Sequence, residues 1–140
     1  MDGMLFMNSP WPVAAICLSY YVLVRFIGPA FMKDRPAYDV KKFMLAYNFF
    51  QTFFSFWIFS GTCYFFLTGR YNWICESVDY SDSEDGVYAA NLTWWYFFSK
   101  FTDFFDTFFF ILRLKFNQCS TLHVVHHGIM PFTTWWVARY

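Results

Sequence analysis

FMLAYNFFQTFFSFWIFSGTCYFFL, residues 43–67, runs for 25 residues without a formal charge. An α-helix of that length rises about 38 Å, more than the roughly 30 Å hydrocarbon core of a bilayer. The stretch reads as a membrane-crossing helix, long enough to tilt. Asn48 and Gln51 lie three apart near its start and should face protein or headgroups rather than lipid.

The flanking sequence repeats the pattern. Upstream, an apolar run spans roughly Trp11 to Met32. Pro12 suits a first helical turn, and Gly28 and Pro29 weaken the far end. Arg25, the only charge inside, can snorkel toward that end. The segment before the run carries Asp2 and neither Lys nor Arg, and the run outlasts a signal-peptide core. It therefore reads as a membrane helix rather than a cleaved signal. Downstream, a third run spans roughly Asn91 to Leu112, apolar apart from Lys100, Asp103 and Asp106. A fourth runs from Ser120 or Thr121, either of which can cap a helix, to about Ala138. The spans expected are thus 11–32, 43–67, 91–112 and 121–138, in an all-α, polytopic transmembrane bundle.

Composition agrees. Of the 140 residues, 58% are hydrophobic and 22 are Phe, more apolar surface than one small soluble core can hide. The net charge of zero gives no case for nucleic-acid binding. Cys17, Cys63, Cys75 and Cys119 show no CxxC spacing, which argues against a zinc ribbon or redox motif.

The loops set the orientation. Loop one, with Lys33, Asp34, Arg35, Asp39, Lys41 and Lys42, nets +2; loop two, with Arg70, Glu76, Asp79, Asp82, Glu84 and Asp85, nets −4; loop three, with Arg113 and Lys115, nets +2. By the positive-inside rule, loops 33–42 and 113–120 are cytosolic, and the N-terminus and loop 68–90 are lumenal. Loop two reads as a solvated acidic loop. Asn91-Leu-Thr93 matches a glycosylation sequon too near the membrane for ready use. Cys75 faces an oxidising lumen and is a candidate for pairing with a cysteine outside this sequence.

Two constellations carry chemistry. Lys100, Asp103 and Thr107 share a helix face, with Asp106 beside them. Each Lys or Asp costs about 2.5–3.5 kcal/mol at a bilayer centre, so this face must line protein or a wet cavity. The bland reading is an ion pair that joins helices. The second constellation is His123, His126 and His127, the only histidines, at i, i+3, i+4 on one face of the fourth run. Three imidazoles there suit either metal binding or proton transfer and nucleophilic attack. A cap at Ser120 or Thr121 places them in the first turns, where the helix dipole favours neutral rings. Asp103 or Asp106 could orient one ring. Arg113 and Lys115 either meet anionic groups such as coenzyme A phosphates or are ordinary positive-inside residues.

The stretch Lys100 to His127 resembles the fatty acid elongase (ELO) family, which shows Lys-x-x-Glu-x-x-Asp-Thr and then Gln-x-Ser-x-Leu-His-x-x-His-His. Here the sequence reads Lys100-x-x-Asp103-x-x-Asp106-Thr107, then Gln118-Cys119-Ser120-Thr121-Leu122-His123-Val124-Val125-His126-His127. Gly28-Pro29 with Met32, Arg35-Pro36, Tyr47-Asn48, Met130-Pro131 and Trp135-Trp136 are similar as well. Asp103 departs from the usual Glu and shortens its reach by one methylene.

The resemblance implies the N-terminal part of an elongase membrane domain, the first four of about seven spans. It implies a very-long-chain 3-oxoacyl-CoA synthase of the endoplasmic reticulum membrane that condenses acyl-CoA with malonyl-CoA. His126 would be the nucleophile, with His123 and His127 moving protons or orienting groups, and with Lys100, Asp103 and Asp106 in the catalytic set. Arg113, Lys115, Thr107 and Gln118 would meet substrate. No metal or other cofactor is implied. Membrane lipids and the ketoacyl reductase, dehydratase and enoyl reductase of the cycle are the expected partners, with room for a homo-oligomer. A distal Asn-x-x-x-His segment of the family is not in this sequence, so the 140 residues are expected to be inactive alone. Two rivals stand beside this reading. A membrane di-iron desaturase or hydroxylase also uses HxxHH but needs more histidines, and a non-catalytic receptor or transporter segment leaves the histidine face unexplained.

Overall fold

The computed structural model describes residues 3–69, 74, 79, 81 and 83–140. These form an all-α bundle of transmembrane type, with no strand among the described residues. Helix α1 (Pro10–Val22) is capped by Ser9, whose hydroxyl accepts from the Trp11 N–H at 3.4 Å. A π-helical turn, Leu23–Ile27, leads into α2 (Gly28–Met32). Pro29 explains the widened turn. It has no N–H for the Arg25 carbonyl and its ring crowds that carbonyl, so the Gly28 N–H reaches back to Leu23 instead. A Cβ on Gly28 would lie 2.9 Å from the Leu23 carbonyl and 3.0 Å from Ile111, so glycine is what lets this turn close on its neighbour.

Helix α3 (Lys41–Leu67) matches the long uncharged run. Helix α4 (Glu84–Thr102) begins at Ser83, which accepts from the Gly86 N–H at 2.9 Å. Asp79 gathers the Ser81 and Ser83 hydroxyls and the Ser81 N–H, which hold its carboxyl down at about 2. The third run differs from expectation in two ways. It starts at Glu84 rather than Asn91, because Ser83 supplies a cap and Glu84 and Asp85 suit a first turn. It also breaks at Asp103 before resuming as α5 (Phe104–Leu112). Asn91 therefore lies inside α4, its amide donating to the Val87 carbonyl at 2.9 Å. Cys75, Glu76 and Asp82 lie outside the described residues.

Helix α5 ends with Leu114 in the left-handed region (φ 56°) and the Lys115 N–H closing on the Phe110 carbonyl at 2.8 Å. A short 3₁₀ turn, Phe116–Gln118, leads to α6 (Thr121–Arg139). Of the two candidate caps, Ser120 takes the role, accepting from the His123 N–H at 3.2 Å.

Helix α6 packs between α1 and α4, α4 also against α3, and α2 against α5. One buried cluster, at the end bearing the basic loops, joins Tyr20, Val24, Met32, Phe104, Ile111 and Val124. The other joins Met7, Val13, Phe97, Trp135 and Ala138 at the opposite end. There the N-terminal segment is tied down by two indoles, Trp94 to the Leu5 carbonyl (3.1 Å) and Trp135 to the Phe6 carbonyl (2.8 Å).

The polarity runs opposite to that of a water-soluble protein. Phe43, Phe49, Phe53, Phe56, Phe59 and Leu67 of α3 are all more than half exposed, while Gln51 and the Lys100–Asp103 pair turn inward. Contiguous exposed apolar surface of this kind suits lipid. By length and mean hydropathy alone, one helix among the described residues qualifies as a span, Pro10–Met32 (1.7). Polar residues of α3, inward at Gln51 and outward at Asn48, Thr52, Ser55 and Ser60, lower its average.

Candidate active site

The break at Asp103 organises the site. A helix interrupted at membrane depth must satisfy its freed backbone groups within the protein. Here the Tyr47 hydroxyl of α3 donates to the Thr102 carbonyl at 3.0 Å. Gln51, one turn on, presents both ends of its amide: Nε2 to Asp103 Oδ1 and Oε1 to the Thr102 hydroxyl (3.0 Å). Asp103 Oδ2 pairs with Lys100 Nζ at 3.3 Å, and that ammonium also sits 4.6 Å from the centre of the Tyr96 ring. Lys100, Asp103, Gln51 and Thr102 thus form one clamp between α3 and α4.

One turn further, the same rod serves different partners. Thr107 is fully buried, and its hydroxyl lies 2.8 Å from Tyr20 Oη on α1 and 2.9 Å from His123 Nε2 on α6. Asp106 lies between the two groups, within electrostatic reach of Asp103 and His123. The expectation that a carboxylate orients a histidine meets a different arrangement. Among the described residues Thr107, and neither aspartate, makes a hydrogen bond to a histidine ring.

The three histidines gather as their spacing requires. The His123 and His127 rings are 4.3 Å apart, and His126 and His127 lie 5.6 Å apart edge-on. His123 and His127 are half-buried and His126 is exposed. Of the anion-facing candidates, Arg113 is half-buried with its guanidinium 3.4 Å from the Met44 sulfur, while Lys115 and Gln118 are exposed. Cys119, next to the cap, is no ready nucleophile, since burial pushes its thiol up. No group of three or more His, Cys, Asp or Glu among the described residues is arranged to hold a metal ion.

An apolar groove of about 280 Å³ runs between α3 and α4, lined by Ile58, Thr62, Phe65, Leu92, Thr93 and Tyr96. Its α4 residues continue at three- and four-residue steps into Lys100 and Asp103, and its α3 residues step back by seven from Ile58 to Gln51. Groove and clamp therefore occupy one face of the helix pair. The sequence did not mark Tyr20 as part of the site, and it marked Tyr47 only through the Tyr47-Asn48 resemblance. Each is one of ten tyrosines, and no spacing ties either to Thr107 or Thr102. Gln51 carried a signal, as an amide in an uncharged membrane run.

Comparison with known proteins gives a consistent result. The family model described as ELO, GNS1/SUR4 family, matches residues 5–140. The chain is 46% identical over 134 residues to very long chain fatty acid elongase 7 of Drosophila melanogaster, covering 96% of this chain and 41% of that protein. It is 43% identical over 131 residues to very long chain fatty acid elongase 4 of Homo sapiens, covering 94% and 41%. It is 40% identical over 145 residues to very long chain fatty acid elongase 7 of Rattus norvegicus, covering 100% and 50%. The chain thus spans two-fifths to half the length of these curated relatives.

Proposed function

The chain belongs to the ELO, GNS1/SUR4, family, and from that premise we propose that it forms part of a very-long-chain 3-oxoacyl-CoA synthase of the endoplasmic reticulum membrane. The reaction joins a long-chain acyl-CoA to malonyl-CoA and yields 3-oxoacyl-CoA, coenzyme A and carbon dioxide. The observation that carries this reading is the gathering of three imidazoles at the basic end of α6, beside the intramembrane Lys100, Asp103 and Asp106.

In this mechanism an imidazole nitrogen of His126 attacks the thioester carbonyl, and the C–S bond breaks to release coenzyme A. The acyl group then rests on the ring. Loss of carbon dioxide from malonyl-CoA leaves a carbanion at its α-carbon, which attacks the acyl carbon and frees the imidazole. His126 is suited to first attack because it is the exposed ring of the three and makes no hydrogen bond among the described residues. His127, against both other rings, is placed to pass protons. Arg113 and Lys115, on the loop just before the histidines, would meet coenzyme A phosphates. The groove between α3 and α4 fits the start of a channel for the acyl tail, since it is apolar and shares a face with the clamp.

In this reading the histidine end, with its basic loops, faces the cytosol, and the acidic end with the N-terminus faces the lumen, as the positive-inside rule favours. The four rods cross the bilayer in this reading. The 140 residues alone are not expected to turn over; condensation by the purified chain would overturn that expectation. In a full-length elongase carrying this segment, His126→Ala should abolish condensation while leaving expression intact. Retained activity in membranes would remove His126 from the nucleophile's role.

A further inference from the structure

The Tyr20–Thr107–His123 chain carries a consequence for the histidines. Tyr20 is 2% exposed, stacked on Phe104 with ring centres 4.1 Å apart. Gly128 of α6 lies against the ring, where a Cβ would make an ordinary contact at 3.5 Å. Among the described residues the Tyr20 hydroxyl has one hydrogen-bond partner, Thr107 Oγ1. Thr107 is fully buried, and that hydroxyl has two, Tyr20 Oη and His123 Nε2. Each hydroxyl has one proton to place, and a neutral imidazole has one N–H and one acceptor nitrogen.

Three proton arrangements are open. If His123 Nε2–H donates to Thr107 and Thr107 to Tyr20, the Tyr20 proton has no acceptor. If Tyr20 and His123 both donate to Thr107, the Thr107 proton has none. Only Tyr20 to Thr107 to His123 satisfies both hydroxyls in a region that water does not reach. In that arrangement Nε2 is an acceptor and the ring proton sits on Nδ1.

We propose that Tyr20 and Thr107 form a relay that locks His123 as the Nδ1-protonated neutral tautomer. The lone pair of Nε2 is then committed to Thr107, and the Nδ1–H is the ring's one free polar group. Resting on the elongase reading above, this makes His123 a hydrogen-bond donor to the reacting groups and excludes it as the nucleophile. It also makes Thr107, on α5, a positioning residue. Thr107, the expected substrate contact, is committed to this relay instead.

The chain's three histidines make the test direct. Nitrogen-15 spectra of the histidine-labelled protein in lipid nanodiscs, with His126 and His127 assigned by single replacement, report which nitrogen of each ring bears the proton. The expected result is a His123 signal with Nδ1 protonated and Nε2 bare. Thr107→Val should raise the Nε2-protonated form at least tenfold. Thr107→Ser should keep the parent pattern, and so should Tyr20→Phe, since His123 Nε2 is then the acceptor left to the Thr107 proton. A parent His123 protonated at Nε2, or an unchanged tautomer in Thr107→Val, overturns the relay. These spectra need no turnover, so they stand apart from any failure of the elongase reading. In a full-length elongase, Thr107→Val should lower kcat about tenfold with KM unchanged, and Thr107→Ser should restore it; an unchanged kcat overturns the positioning role.

Discussion

Two turns of one rod, either side of Asp103, face two kinds of neighbour. On the α4 side, Lys100 and Asp103 are paired with each other and held by Gln51 of α3. On the α5 side, Thr107 is held by Tyr20 of α1 and His123 of α6. The first group carries full charges and is about one-fifth exposed; the second is neutral, with its central hydroxyl fully buried. The difference teaches how a single motif, Lys-x-x-Asp-x-x-Asp-Thr, can do two jobs. Charges inside a membrane protein must be paired, so Lys100 and Asp103 fasten helices. A neutral hydroxyl can accept and donate at once, so Thr107 can pass orientation from one helix to another.

The largest expected effect strikes the charged half. Asp103→Leu leaves the Lys100 ammonium without its partner and should lose about 3 kcal/mol of stability, measured by unfolding in nanodiscs. Adding Lys100→Met should recover most of the loss, since an ion pair replaced whole by apolar groups is often near neutral. If the double variant is no better than the single, the pair is not the clamp and the contrast between the two halves fails.

The neutral half should respond less. Thr107→Val strands the buried Tyr20 hydroxyl and should cost about 2 kcal/mol. Tyr20→Phe added to it should cost little more, because the stranded group is gone. Additive losses from the two changes would show that Tyr20 and Thr107 do not act through each other.

The smallest effect sharpens the comparison with a third aspartate, one in water. Asp79 accepts from two hydroxyls and an N–H, and its carboxyl sits at about 2. A depressed carboxyl stabilises above its ordinary value of about 3.9, and loses that contribution as the pH falls through 2. The carboxyl carbon resonance of Asp79 should therefore titrate near 2, and a midpoint near 4 would show that the serine contacts do not persist. Because the group is exposed, Asp79→Asn should barely move stability at neutral pH.

Much of this was legible in the linear sequence. The uncharged run of residues 43–67 specified α3, because length and polarity alone decide whether a helix suits a bilayer. The spacing of His123, His126 and His127 specified a shared face, because helical periodicity is local. The Ser120 cap was one of two written choices. The break at Asp103 was not legible, since no proline or glycine marks it and the Thr102 carbonyl is satisfied from another helix, by Tyr47. The early start of α4 was hidden by the acidic composition of residues 76–86, which reads as loop unless Ser83 is taken as a cap.

What the sequence determined by itself is the class of the molecule and its inventory of reactive groups, because hydrophobicity, charge and helical period are properties of consecutive residues. What only the tertiary structure decided is who meets whom: Gln51 with Asp103 across 52 positions, Tyr20 with Thr107 across 87. Those pairings depend on how rods pack. Packing is set by shape at places such as Gly28, where the absence of a side chain lets one helix reach another. The role of each histidine follows from those distant partners rather than from its place in the motif.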